Sequence, residues 1–337
     1  MMKAVVTEGK GTFSLVDVDM PTLGAYDCLV KIEAFLFCNT TDRHLVEGTF
    51  PPCPIRYPAL LGHECVGRVI QVGSKVKHFA EGDRVLRPYC LNPDEMLSGY
   101  YSAWGGFAEY GRVTDWQAIV ADQPERANEG FLKYQQLLPD GMTLQQAAMM
   151  ITLKEILSAV NKLPDFSGKK CLVTGAGSTA CLFGRLLKIK GAGQVTMVAR
   201  RKEPLEFAVD QHCADDTCTL DHLERLDHDF ELLIDATGAL AVLKRLVAQI
   251  RDGGAIFSYG IYDEMGDDRV FDELRKRTTY ARLDPDEPSA HEEACQMVLN
   301  KRIDLEPYIT HTFPLAQLVD AWATVVERRT LKTMVLT

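Results

Sequence analysis

The chain has 337 residues, which is long for a single hydrophobic core and suits two domains. Hydrophobic residues make up 46% and charged residues 25%, a balance typical of folded proteins that excludes a disordered or collagen-like chain. The formal net charge of −10 argues against nucleic acid as a partner, because phosphate binding needs clustered lysine and arginine.

The sequence predicts neither a membrane partner nor an oxidising compartment. No segment approaches the ~18 consecutive apolar residues of a membrane span, and charge and turn residues follow Met1 too early for a signal peptide. The ten cysteines are scattered, and several stand inside apolar runs. This usage indicates free thiols rather than a disulfide framework, so we predict a cytoplasmic protein.

The first 140 residues alternate short β-rich runs with glycine and proline turns. The predicted strands span residues 3–6, 28–34, 65–72, 83–87 and 107–113. Short strands with this spacing and punctuation are typical of a compact, mostly antiparallel, barrel-like domain. We therefore predict one β domain over residues 1–140.

From Leu144 the pattern becomes helical, and beyond residue 169 strands alternate with helices. The predicted strands are 170–174, 194–199, 232–235 and 255–259, and the predicted helices are 178–190, 204–212 and 240–250. Such alternation predicts a doubly wound parallel sheet, so the fold class is α/β. A second domain is assigned to residues 141–285, and a C-terminal segment to 286–337. That segment contains an amphipathic helix over 315–327 and a strand over 331–336.

A G-x-G-x-x-A sequence stands between the first strand and the first helix of this alternation. Gly175 permits a tight turn, Gly177 lets the backbone approach a pyrophosphate, and Ala180 allows close packing of helix on strand. The helix N-terminus, which begins with Ser178 and Thr179, attracts negative charge. The strand before the motif and the helix and strand after it favour a dinucleotide site over a merely structural turn.

The end of the next strand indicates which dinucleotide is bound. An NAD site normally has an acidic residue there, about 20 residues beyond the glycine motif. Here Arg200, Arg201 and Lys202 follow the strand, and a guanidinium matches a 2′-phosphate in both charge and shape. NADP(H) is therefore the predicted cofactor; the alternative is that the three cations form only a solvated turn. Thr237 and Tyr259, near the ends of later strands, complete the predicted cofactor residues.

A second constellation, Gly62-His63-Glu64, lies in the first domain. It resembles the G-H-E segment of the medium-chain dehydrogenase/reductase family, which includes the zinc-containing alcohol and polyol dehydrogenases. The resemblance covers nearly the whole chain, in the family's order. It continues through residues 105–110, the dinucleotide loop, residues 235–238, 253–254 and 313–315, and ends at Lys332.

The resemblance implies a GroES-like β-barrel catalytic domain, to which the C-terminal segment returns, and a Rossmann nucleotide-binding domain. It also implies hydride transfer between a nicotinamide and an alcohol or ketone, with zinc polarising the substrate oxygen. The implied zinc ligands are Cys38, His63 and Glu64, and the implied proton relay is Thr41 and His44. The expected substrate is a small alcohol or ketone, with a sugar, cyclitol or polyol favoured. A homodimer or homotetramer is expected.

Two positions depart from the family's pattern. Aligned without a gap, the cysteine ligand position falls on Asn39, and a bulge of one residue is needed to return Cys38 to the metal. Ile151 stands where a further ligand is expected near the domain junction. One helical turn beyond it, Lys154 and Glu155 are candidates for ligand, proton shuttle or ribose contact.

The family's second, structural zinc is predicted to be absent. That site needs four clustered cysteines, and between Arg87 and Tyr110 the sequence contains only Cys90. Two alternatives to a zinc dehydrogenase stay open from the sequence. One is a zinc-free reductase of a ketone or activated double bond, with Lys154 or another group as acid, and the other is a non-catalytic relative that binds the cofactor.

Overall fold

The computed structural model describes residues 1–50, 54–93, 95–128, 130–262 and 268–337. The chain divides into two compact units. The first comprises Met1–Ile151 and His291–Thr337, and the second Thr152–Ala290. The domain limits predicted from the sequence, at 140 and 285, fall before these divisions. Across the described ranges, no helix has both the length and the apolar character needed to span a membrane.

Each strand predicted from the sequence overlaps a strand of the structure, which contains further strands that the sequence analysis did not predict. In chain order they are β1 (Met2–Thr7), β2 (Phe13–Val18), β3 (Asp27–Leu36), β4 (Ala59–Leu60), β5 (Cys65–Val72), β6 (Arg84–Leu86), β7 (Met96–Leu97), β8 (Tyr100–Ser102), β9 (Tyr110–Thr114), β10 (Leu137–Leu138), β11 (Lys170–Thr174), β12 (Gln194–Ala199), β13 (Asp216–Thr219), β14 (Phe230–Asp235), β15 (Ile250–Ser258), β16 (Thr279–Arg282), β17 (Ile309–Pro314) and β18 (Lys332–Leu336).

The helices are shorter than the sequence pattern predicts at two places. They are α1 (Thr41–Glu47), α2 (Trp116–Asp122), α3 (Leu144–Asn161), α4 (Ser178–Ile189), α5 (Glu203–Asp210), α6 (Leu240–Leu246), α7 (Asp268–Arg277), α8 (His291–Leu299) and α9 (Leu318–Val326). The predicted helix over 240–250 is α-helical only to Leu246, because a 3₁₀ turn follows and β15 begins at Ile250. The predicted helix over 315–327 starts with a 3₁₀ turn before α9.

Two sheets, mostly antiparallel, form the first unit. One has the strand order β2-β1-β4-β8-β7, and the other β10-β6-β5-β3-β18-β17. β3 lies at the centre of the second sheet. β5 pairs with one of its edges, while β9 pairs with the first half of the other edge and β18 with the end of that edge. The core between these strands includes Phe35, Phe37 and Phe107, which are at most 1% exposed. The GroES-like architecture implied by the resemblance is confirmed.

The second unit contains one sheet in which every pairing is parallel, in the order β13-β12-β11-β14-β15-β16. The chain therefore winds outward from β11 in one direction and then from β14 in the other. The carboxyl ends of β11 and β14 flank the point where the order reverses, which is where doubly wound sheets bind their ligands. The predicted Rossmann-type α/β fold is confirmed.

Candidate functional site

Cys38, His63 and Glu64 come together in the first unit, because β3 and β5 pair in antiparallel register. Phe35 lies opposite Cys65, and the Leu36 amide donates to the Glu64 carbonyl at 2.9 Å. Cys38 lies two residues after the end of β3, and Glu64 immediately precedes β5. One candidate ligand atom from each of the three side chains lies within 4.8 Å of the others. A thiol, an imidazole and a carboxylate form the donor set that zinc prefers.

Asp42 holds two members of this cluster in place. It is fully buried in α1, and its Oδ2 accepts a hydrogen bond from the Cys38 amide at 2.7 Å. Its Oδ1 lies 3.2 Å from His63 Nδ1, which leaves His63 Nε2 on the side of Glu64, 3.7 Å from Glu64 Oε1. A carboxylate behind the far nitrogen of a histidine is the usual support of a metal-binding imidazole. The sequence analysis did not single out Asp42.

Charge is concentrated around these buried groups. Burial by itself lowers the pKa of His63, but the Asp42 carboxylate and the Cys38 sulfur outweigh it and raise that pKa well above 6.5. Burial raises the pKa of Glu64, but Lys332 and then His63 outweigh it, and the net shift is downward. Lys332, which begins β18, donates to both Glu64 oxygens, at 2.7 and 2.5 Å. The sequence analysis missed this ion pair.

The two departures from the family's pattern have clear structural outcomes. Asn39 turns away from the cluster and donates through Nδ2 to the carbonyls of Leu331, at 3.1 Å, and Thr330, at 3.4 Å. Cys38, and not Asn39, therefore stands with His63 and Glu64. Ile151 is fully buried and offers no ligand atom.

Thr41 and His44, the predicted proton relay, lie on the same helix as Asp42. Thr41 is partly buried at the first position of α1. His44 is buried, and its Nδ1 lies 2.9 Å from Thr49 Oγ1. The relay itself stays a prediction.

In the second unit, the glycine loop after β11 has the predicted backbone geometry. Gly175 has a φ of 94°, and a Cβ there would lie 3.0 Å from Thr237 Cγ2 and 3.4 Å from Ala180 Cβ. Gly177 precedes α4 without a side-chain cap, and a Cβ there would meet nothing within 4 Å. The start of α4 thus has open space beside Gly177, and a helix N-terminus suits an anion.

Asp235 fixes this loop to the end of β14. It is fully buried and accepts hydrogen bonds from Thr174 Oγ1 at 2.6 Å, Thr237 Oγ1 at 2.8 Å and the Tyr262 hydroxyl at 2.5 Å. Burial, followed by the Asp235 charge, raises the pKa of Tyr262. The network holds Thr237 beside Gly175 at the reversal of strand order, and its Tyr262 member was not predicted.

The remaining predicted residues of the second unit have distinct surroundings. Arg200 and Arg201 directly follow β12 and are exposed. The Tyr259 hydroxyl donates to Glu155 Oε2 at 3.5 Å, so a predicted cofactor residue and a predicted catalytic residue are brought together. Lys154 is fully buried, and its Nζ lies 3.1 Å from Glu287 Oε1. The role of Lys154 as a proton donor stays a prediction.

Comparison with known proteins gives both domain and full-length matches. Residues 24–123 match the family model of the alcohol dehydrogenase GroES-like domain. D-arabinitol dehydrogenase 1 of Uromyces fabae is 24% identical, over 98% of this chain and 96% of its own. The NADP-dependent isopropanol dehydrogenase of Clostridium beijerinckii is 27% identical, over 93% and 92%.

A solved structure agrees over the full length. A Sinorhizobium meliloti 1021 protein, assigned as a zinc-binding dehydrogenase and crystallised with NADP, superposes with a TM-score of 0.80 at 25% identity. The alignment covers 100% of this chain and 99% of that one. The fold and the G-H-E segment define an alcohol dehydrogenase-like protein with a GroES-like domain. Over its full length the chain is similar to alcohol and polyol dehydrogenases, and residues 24–123 match the GroES-like domain of that group.

Proposed function

We propose that this protein is an NADP(H)-dependent dehydrogenase or ketoreductase that interconverts a secondary alcohol and a ketone with the help of one zinc ion. The observation that carries the proposal is the convergence of the partly buried Cys38 with the buried His63 and Glu64 in a GroES-like domain. The reaction removes a hydride from the carbinol carbon and a proton from its hydroxyl, and the oxidised nicotinamide accepts the hydride. The relatives named as arabinitol and isopropanol dehydrogenases support this reaction class.

The cluster residues fit a zinc ion. Cys38 and His63 offer sulfur and nitrogen, and the Asp42 carboxylate lies 3.2 Å from His63 Nδ1. Glu64 is shared with Lys332, but a carboxylate has about four acceptor sites and can serve two cations. A bound zinc would supply a Lewis acid that polarises the substrate oxygen. Around it, this chain supplies the buried side chains of His63 and Glu64 and the Asp42 carboxylate beside His63 Nδ1.

Three features of the second unit support NADP(H). The open backbone at Gly177 and the uncapped start of α4 suit a pyrophosphate. Arg200 and Arg201 present exposed guanidinium groups where an NAD site has a carboxylate. Lys202 is less available than Arg200, because its Nζ lies 3.1 Å from Glu206 Oε1.

Metal analysis of the wild-type protein and four variants tests the zinc proposal. We expect wild-type protein purified without chelator to contain zinc, and Cys38→Ala and His63→Ala to lose most of it together with turnover. Asn39→Ala and Cys90→Ala are the matched controls, since Asn39 points to Leu331 and Cys90 lies outside the cluster. Wild-type protein that is metal-free yet active would replace the zinc mechanism by a zinc-free reductase. Zinc retained in Cys38→Ala would exclude Cys38 as a ligand.

Cofactor titration tests the NADP(H) proposal. Arg200→Asp should weaken NADPH binding by roughly tenfold or more while changing NADH binding far less, because a charge-assisted phosphate contact is lost. Lys202→Ala should have a smaller effect, because Glu206 already engages that lysine. Wild-type protein that prefers NADH would contradict the proposal, and protein that binds neither nucleotide would indicate a relative without this chemistry.

A further inference from the structure

Trp104 has a backbone conformation that bulky residues rarely adopt. It lies between β8 and the Gly105-Gly106 pair, and its φ is +70°, in the left-handed region that favours glycine. Such conformations persist only where the surroundings impose them, and they cluster at functional sites. The aromatic side chain must therefore be held here by its neighbours.

The neighbours that impose this conformation belong to the segment just before His63. The Ala103 amide donates to the Leu60 carbonyl at 2.8 Å, the Gly106 amide to the Gly62 carbonyl at 2.8 Å, and the Phe107 amide to the Leu61 carbonyl at 2.9 Å. Both ends of the turn around Trp104 are thus attached to the strand that leads into the candidate metal site.

This attachment places the Trp104 indole next to His63 of the candidate metal site. The Trp104 and His63 ring centroids are 5.4 Å apart, with an interplanar angle of 52°. Phe50 contacts the other edge of the indole, at a centroid distance of 6.1 Å and an angle of 83°. A broad aromatic surface consequently stands next to the imidazole of the candidate active site.

Filling the core does not explain this placement. The adjacent Phe107 is fully buried and stacks on Phe35, with ring centroids 4.3 Å apart. Trp104 is only partly buried and packs at the margin of that core.

We propose that Trp104 is a specificity-determining residue, whose indole is the platform for the C–H face of a saturated ring substrate such as a cyclitol. The inference rests on the proposed function and names its substrate class. The face of an indole is electron-rich and apolar, so it attracts the C–H bonds on one face of a ring. The hydroxyls at the edge of the substrate ring then extend beyond the indole, toward His63. An open-chain polyol must lose rotational freedom about several C–C bonds to present the same face, and this entropy cost weakens its binding.

Intrinsic fluorescence tests the platform directly. In a Trp116→Phe/Trp322→Phe variant, Trp104 is the remaining tryptophan. The probes are myo-inositol and D-sorbitol, a ring and an open chain with equal numbers of hydroxyl groups. We expect myo-inositol to change the emission and to bind about tenfold or more tightly than D-sorbitol, a difference expected from its frozen bonds. Equal affinities, or no response to myo-inositol, would overturn the proposal.

Kinetics with NADP⁺ provide the second measurement. Trp104→Gly accepts the φ of +70° without strain, so its fold and thermal midpoint should be retained. Its kcat/KM for myo-inositol relative to D-sorbitol should fall by about tenfold, mainly through KM, while Tyr101→Ala keeps the wild-type ratio. Ring preference that survives Trp104→Gly would refute the platform.

The two measurements separate the platform from the proposed function. A myo-inositol complex without reduction of NADP⁺ by any polyol would refute the function and leave the platform. Turnover of polyols with a ring preference that Trp104→Gly does not alter would refute the platform and leave the function.

Discussion

The buried ion pair between Lys332 and Glu64 allows a quantitative test of the site. Both side chains are 3% exposed, and the lysine donates to both carboxylate oxygens. Lys332→Met keeps most of the side-chain volume and leaves the Glu64 charge buried without this partner. Breaking a buried pair in this way costs about 3–5 kcal/mol.

This free energy converts into a measurable change in melting temperature. At about 2–4 °C per kcal/mol, Lys332→Met should lower the thermal midpoint by about 6–20 °C. Circular dichroism melts in the presence of EDTA measure this shift, because no added cation then replaces the ammonium. The exposed pair of Lys3 and Asp17 is the control, since Lys3→Met should cost no more than about 1 kcal/mol.

A double variant separates the charge from the packing. Glu64→Gln/Lys332→Met removes both charges, so it should recover much of the stability that Lys332→Met loses. The reasoning would be refuted if Lys332→Met melted within about 2 °C of wild type, which would correspond to less than the cost of a buried charge. A double variant no more stable than the single one would refute it equally.

Two further predictions concern the first unit. Asp115 accepts three backbone amides, and burial is outweighed by those bonds and His78, so its pKa lies below 3.8. The stability that the Asp115 carboxylate contributes is therefore present above pH 3.8 and lost below it. Asp115→Asn should lower the urea midpoint at pH 7, and its difference from wild type should shrink toward pH 3. A difference that does not depend on pH would contradict this prediction. Gly62 and Gly82 both have left-handed φ values, but only at Gly62 would an added Cβ lie 2.2 Å from the Phe107 nitrogen. Gly62→Ala should therefore destabilise the fold more than Gly82→Ala. Equal losses of stability in the two variants would refute the contact argument.

The sequence determined the features that follow from local rules. The strand, glycine loop and helix at residues 170–190 were predictable because each glycine has a conformational role that no distant residue changes. The arginines after β12 were equally evident, since their position depends only on where the strand ends. Parallel strands in the second unit followed from the alternation of short apolar runs with helices.

Only the tertiary structure decided which side chains form the candidate site. Cys38 and Asn39 are adjacent in sequence, and the pairing of β3 with β5 places Cys38 beside His63, while Asn39 turns to Leu331. Lys332 reaches Glu64 across 268 residues because β18 pairs with the end of β3. The left-handed backbone of Trp104 depends on amides donated to the segment before His63. These contacts depend on strand register, which is set by the packing of the whole unit and leaves no periodic pattern in the sequence.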